Sequence, residues 1–287
     1  MENCLRSIER SVVDAEIIVY DDTSTDPETV AILERTATDH RVVVTGNTGA
    51  EGNKCGGLYN NMQTALDDAP DDEMICFMQD DTQMVRNLDQ QDLNDVRYFF
   101  DAKPDAAFLQ PAFLRGADRH RNARITRFDD DTNGYYRENS TQSVGIYFSA
   151  ISIAHVGRLR ACGWRYSSRE RENEMQARQH FSRMGFTKNP FMMWLPSVPA
   201  YRGKIKTLAL VLAERSRNCG FYPFNEMATE QVVSLRERDH QVLPVAEDFL
   251  SVNATDITVP WITHPLQGSA FFKSLNRIEL KLKALLK

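Results

Sequence analysis

Apolar residues recur along the chain in two rhythms. Leu5, Ile8 and Val12 keep a helical spacing through ENCLRSIERSVV, so the chain opens in a helix. Short apolar runs then alternate with helical stretches. EIIVY (16–20) predicts a strand, ETVAILERTA a helix with Pro27 near its first position, and RVVVTG (41–46) a second strand. LYNNMQTALDDA predicts a helix and MICFM (74–78) a third strand. Strands that are apolar throughout are covered on both faces, and the order β-α-β-α-β predicts a parallel sheet.

Beyond residue 85 the pattern predicts a helix over LDQQDLNDVRYFFD and a strand over 106–113. The arginine-rich stretch 114–143 predicts irregular chain. SVGIYFSAISIAHVGRLRACGW predicts a strand running into a helix, and residues 170–186 a helix ended by Gly185. From residue 205 the signals are mixed and helical, closing in FFKSLNRIELKLKALLK, an amphipathic basic helix.

Composition narrows the class. With 287 residues, 42% of them hydrophobic and 26% charged, the chain is long enough for one large α/β domain with an appendage. A net charge of −6 argues against nucleic acid as a partner. The five cysteines show no CxxC or Cys/His spacing and give no zinc motif. No apolar run reaches the roughly 18 residues of a membrane span, and no signal-peptide core follows Met1. The expected location is the cytoplasm.

The candidate chemistry lies where two strands end. Ligands of parallel α/β sheets sit outside the carboxyl ends of the strands. Asp21 and Asp22 follow the first strand, and Asp80 and Asp81 follow FMQ at the end of the third. Adjacent carboxylates suit a hard cation, Mg²⁺ or Mn²⁺, with open positions for substrate phosphates. The glycine-rich NTGAEGNKCGG (47–57) lies between the two pairs in sequence, and its backbone amides and Lys54 can cradle phosphate. It matches neither GxxxxGK[ST] nor GxGxxG. An Asp-Asp pair is equally the composition of a solvated turn. Asp26 suits a helix cap as well as a ligand. Trp164 and Trp194 suit a core as well as a stacked sugar.

Several segments together resemble family 2 glycosyltransferases of the GT-A fold. EIIVYDDTSTD resembles that family's (E)IIVVDDGSTD, NTGAEGNKCGGLYNNMQTAL its N-x-G…(A)RN-x-G…A, and ICFMQDDTQMV its (I)xFLDDD metal motif. GIYFSAISIAHVGRLRACGW resembles the segment before the acceptor site, and RENEMQAR resembles EDxDLxxR. The resemblance covers residues 2–200. It implies a GT-A domain over 1–204, with a nucleotide-binding half (1–113) and an acceptor half (114–204), followed by a C-terminal extension over 205–287. It further implies that Asp21, Asp22, Asn47, Gly49, Lys54 and Asp80 contact the donor nucleotide. Asp81 and Asp80 would hold Mn²⁺ or Mg²⁺, and Glu172, with Glu174 as the neighbouring alternative, would act as the base. The donor implied is a nucleotide-diphosphate sugar, UDP-sugar favoured, and the acceptor a glycan or lipid-linked hydroxyl.

The sequence departs from the family in three places. Gln79 replaces the first acid of the metal motif, and Arg171-Glu172 replaces Glu-Asp. The family's first strand would precede the opening helix, and Met1 lies inside that helix, so weak donor binding is expected. The alternatives are a catalytically degenerate sugar-nucleotide-binding or scaffold subunit, or a nucleotidyltransferase, whose glycine-rich loop after the first strand is absent. DDTST and QDDTQ do not supply the DxDx[TV] of a haloacid dehalogenase. Residues 271–287 carry apolar positions on one side and lysine and arginine elsewhere. They suit an anionic membrane surface, or packing on the chain's own domain or a second copy.

Overall fold

The computed structural model describes residues 1–46, 57–139, 145–200, 206–254 and 256–285. Helix α1 (Glu2–Ser11) opens the chain, followed by β1 (Ile18–Asp21), α2 (Pro27–Thr36), β2 (Arg41–Val44), α3 (Leu58–Asp68), β3 (Met74–Phe77) and β4 (Thr82–Met84). Next come α4 (Gln90–Ala102), β5 (Phe108–Gln110), a short 3₁₀ turn (Gly116–Asp118), α5 (Arg119–Ile125), β6 (Thr126–Asp129) and β7 (Gly134–Arg137). The chain continues through β8 (Ser152–His155), α6 (Val156–Ala161), α7 (Glu170–His180), β9 (Gly185–Thr187) and β10 (Met192–Trp194). It closes with α8 (Leu208–Ser216), α9 (Thr229–Glu237), α10 (Ala246–Phe249) and α11 (Ala270–Leu285).

The architecture is mixed α/β, with a central sheet flanked by helices. β1 and β2 pair in parallel, Ile18 opposite Arg41. A six-stranded sheet runs β3-β8-β5-β9-β7-β6, with β5–β9 parallel and its other neighbours antiparallel. β4 and β10 form a separate antiparallel pair. The sheet is therefore mixed where the apolar runs predicted parallel pairing. An apolar run records burial on both faces, and that burial does not fix the direction of the neighbour.

α3 explains why β1, β2 and β3 point the same way. Its first turn abuts Asp22 at the end of β1, and Asp68 at its far end lies 3.1 Å from Arg41 at the start of β2. After a short turn β3 runs back antiparallel to α3. The carboxyl ends of β1 and β3 therefore share one side of the molecule, and both aspartate pairs fall there.

β1 and β3 do not pair with each other. The Glu73 carbonyl accepts from Val156 of the β8 side, and strand groups alternate, so Met74 and Cys76 direct their N–H and C=O away from β8. The Asp21 carbonyl accepts from Thr45, which turns the Tyr20 groups to the edge away from β2, where the Asn61 amide binds the Tyr20 carbonyl at 2.9 Å. Cys76 is solvent-exposed, although the protein around it pushes its thiol up to about 12.

Three of the four apolar clusters among the described residues surround the strands. α3 packs Tyr59, Met62 and Leu66 on one face of the sheet, against Phe77, Phe108 and Phe148. α1 and α4 cover the other face with Ile8, Val12, Val96, Phe99 and Phe100. Phe224, Leu235, Ala246 and Trp261 of the C-terminal stretch pack on Val85, Phe113, Met193 and Leu195, so this stretch shares a core with the strands.

Three segments differ from the sequence expectation. Residues 114–143 hold α5 and the β6–β7 hairpin, whose turn ends in Asn133 (φ 48°) and Gly134; Asn-Gly is a hairpin signal that the arginines obscured. The apolar stretch before Ser152 is not a strand, and β8 begins only there. The helix predicted over 170–186 stops at His180, and Gly185 opens β9. A Cβ at Gly185 would lie 2.3 Å from the Phe99 ring, so the glycine serves close packing of β9 on α4.

Candidate functional site

FMQDD closes into a tight turn. The Thr82 amide donates to the Gln79 carbonyl at 2.9 Å and the Thr82 hydroxyl donates to the same oxygen at 2.6 Å, leaving Asp80 and Asp81 at the tip between β3 and β4. Leu195 donates its amide to the Asp81 carbonyl at 2.8 Å, which ties the turn to β10. Asp80 points to solvent and Asp81 is half-buried. Burial, reinforced by the charge of Asp80, raises the Asp81 carboxyl to about 6, opposed by its own backbone amide and then by Arg115. Its Oδ1 is buried with no hydrogen-bond partner.

At the neighbouring strand end the two aspartates have separate tasks. Asp21 is buried and accepts from the Ser24 amide at 2.7 Å and hydroxyl at 2.6 Å, so its carboxylate shapes the turn after β1. Asp22 is pressed against Gly57, where a Cβ would sit 2.1 Å from its carboxyl carbon; only glycine fits there. Asp22 Oδ1 is also buried and unpartnered. Asp26 caps α2, accepting from the Thr29 amide at 3.1 Å. Asn47, Gly49 and Lys54 lie outside the described residues.

The three glutamates of α7 have three different surroundings. Glu172 accepts from the Ser167 hydroxyl and lies 3.5 Å from Arg169, on the exposed side of the helix. Glu174 is buried and accepts four backbone amides, those of Gly145, Ile146, Tyr147 and Phe148, at 2.9–3.2 Å. That carboxylate is fully engaged in holding the 145–148 segment. Glu170, one turn before it, faces Arg115 and Glu174, and burial raises its carboxyl. Its side chain is open to solvent. The base candidates expected on α7 were Glu172 and Glu174; the glutamate facing Arg115 is Glu170.

Arg115 was not singled out in the sequence. Residues 111–114 run alongside β10 through the Ala112–Met192 bridge and the Phe113 amide to Met192 carbonyl bond at 3.0 Å. This register delivers the Arg115 guanidinium onto the Trp194 ring, 4.4 Å from its centroid. Trp194 pairs with Thr82, the residue after Asp81. Arg115, Asp81 and Glu170 therefore converge from β10's neighbour, the β3–β4 turn and α7. Arg137 lies in the same field, pushed down to about 10 by burial and by Arg121 and Arg115, but its guanidinium bonds the Gly145 carbonyl and the Asn122 side chain, each at 3.0 Å. Trp164 is core.

A divalent cation fits this donor set in part. Asp81 offers a bare oxygen in a hard-ligand position and Asp80 a second carboxylate beside it; among the described residues no group of three or more His, Cys, Asp or Glu could hold an ion. A cation held by one or two carboxylates completes its shell with water and substrate phosphate oxygens. No family model matches the chain, and no curated protein matches it. Among the described residues no helix is long and apolar enough to cross a membrane.

Proposed function

We propose that the chain is an inverting glycosyltransferase of GT-A type. It would move a sugar from a nucleotide-diphosphate donor to a glycan or lipid-linked hydroxyl, with Mn²⁺ or Mg²⁺ bound at Asp81 and Asp80. Asp81 is the observation that carries this reading: a carboxylate at the carboxyl end of β3 whose Oδ1 is buried without a partner. A bound divalent cation would neutralise the charge growing on the departing diphosphate.

The protein residues supply the remainder. Asp22 presents its unpartnered Oδ1 to a donor group of the nucleotide base or ribose. Glu170 takes the acceptor hydroxyl proton as that oxygen bonds to the anomeric carbon. The bond from that carbon to the diphosphate oxygen breaks on the opposite side, its electron pair leaves with the diphosphate, and the configuration inverts. A carboxyl raised by burial is a better proton acceptor near neutral pH than an ordinary glutamate.

Titration calorimetry with UDP and GDP, with and without Mn²⁺, tests the reading. Metal-dependent binding of one nucleotide is expected, weakened at least about tenfold in Asp81→Ala, the loss of one charge-assisted contact. Absence of nucleotide binding by the unsubstituted chain under every condition would refute it.

A further inference from the structure

Several partly or fully buried arginines of this molecule are hydrogen-bonded to protein oxygens. Arg86 pairs with Asp92 through two bonds of 2.7 Å, Arg158 donates to three backbone carbonyls, and Arg137 to a carbonyl and an amide oxygen. Arg115 is half-buried, and burial lowers its affinity for its proton, yet among the described residues its guanidinium makes no hydrogen bond or ion pair. Its acidic neighbours Asp118, Glu170 and Asp81 act on it only through space. A desolvated guanidinium with five unused donors is costly unless an anion completes it.

The ring beneath Arg115 fixes its orientation. With its Cζ 4.4 Å from the Trp194 centroid the fork is held over the ring, and its N–H groups, unbonded among the described residues, can receive a planar or tetrahedral anion. The register of residues 111–114 along β10 makes this placement a property of the scaffold rather than of a free side chain. Asp81 Oδ1, the other unpartnered group of this region, belongs to the residue before Trp194's strand partner Thr82. The Arg115 guanidinium and the Asp81 carboxylate act on each other through space without forming an ion pair. That arrangement suits a ligand that brings both a cation and an anion.

We propose that Arg115 is an anion-binding residue that takes phosphate oxygens of a metal-bound diphosphate, beside the cation at Asp81. The proposal rests on the glycosyltransferase reading for the identity of the diphosphate, and on the geometry of Arg115 and Trp194 for the anion site. In the transfer step Arg115 hydrogen-bonds the departing diphosphate as negative charge accumulates on it. Arg115 keeps its proton throughout, and no bond to it forms or breaks.

The test is calorimetric titration of the full chain with inorganic pyrophosphate and with UDP, each with Mn²⁺, comparing the unsubstituted chain, Arg115→Gln and Arg115→Lys. Thermal unfolding confirms that each variant folds. Arg115→Gln is expected to weaken pyrophosphate and UDP by about 10- to 100-fold, the worth of a charged hydrogen-bonding pair, with Arg115→Lys intermediate. Equal pyrophosphate affinity in Arg115→Gln and the unsubstituted chain would overturn the proposal, as would no pyrophosphate binding by either. Pyrophosphate binding that depends on Arg115, without any nucleotide binding, would sustain the anion site and defeat the glycosyltransferase reading. Nucleotide binding that ignores Arg115 would do the reverse.

Discussion

At Asp81, burial and the charge of Asp80 lift the carboxyl from 3.8 to about 6 in the folded chain. Between those values the folded state holds a proton that the unfolded state has lost, so this group's contribution to stability falls as pH rises through the window and stays low above it. Replacing the carboxylate by a neutral isostere removes that penalty. Asp81→Asn is expected to stabilise the metal-free protein by about 1–2 kcal/mol at pH 7.5, a discounted conversion of the shift. The gain should fade toward pH 4. Denaturant unfolding across that range measures it, and a gain independent of pH would show that Asp81 is not strained by its charge. A residue that weakens the fold when bare and unpartnered is the signature of a binding group.

The residue scale also separates what the sequence displays from what it conceals. Asp80 and Asp81 were visible because an apolar run stops at them, and Asp26 was visible as a cap because Pro27 follows. Arg115 was not visible. It sits among the arginines of 114–143, and nothing local distinguishes it from Arg119 or Arg121. Its significance comes from Trp194, about eighty residues away, through a register no periodicity records. Likewise, Glu170 and Glu172 both read as exposed acids on α7; only the positions of Ser167, Arg169 and Arg115 separate them.

Among the elements, α11 shows how amphipathicity can mislead about which side is docked. The helix attaches to α8 through Phe272, Asn276 and Glu279: Asn276 accepts from the Thr207 hydroxyl at 2.6 Å, and Glu279 from the Leu208 and Ala209 amides at 2.9 and 3.3 Å. Glu279 thereby caps the first turn of α8. The apolar stripe of Phe271, Ile278, Leu282 and Leu285 faces outward, with Arg277 and Lys281 also exposed. Such a face suits an anionic lipid surface. Cosedimentation with vesicles of anionic phospholipid is expected for the full chain and lost in a 1–268 truncation. If both stay in the supernatant, the outward stripe serves another contact. The predicted helix itself was legible because its pattern is long; its docked face was not, because that contact is made of polar caps.

For the whole molecule, the strand pattern gave an α/β class and set the aspartates at the carboxyl ends. It did not give the pairing, since burial on two faces leaves direction open. Nor did it announce that, among the described residues, β1 and β3 each keep one edge unpaired. Within β3 this edge divides the strand by parity. Amides of Ile75 and Phe77, bonded to β8, are expected to exchange with deuterium at least about tenfold more slowly than those of Met74 and Cys76. Residue-resolved exchange reads this directly, and uniform protection along β3 would mean that the edge is closed. A net charge of −6 keeps molecules apart at long range, but a strand with free backbone groups and apolar neighbours is a template for accretion once they meet. The protein's practical ceiling in solution is then set by concentration rather than by heat: samples should coarsen on concentrating well before they unfold on warming.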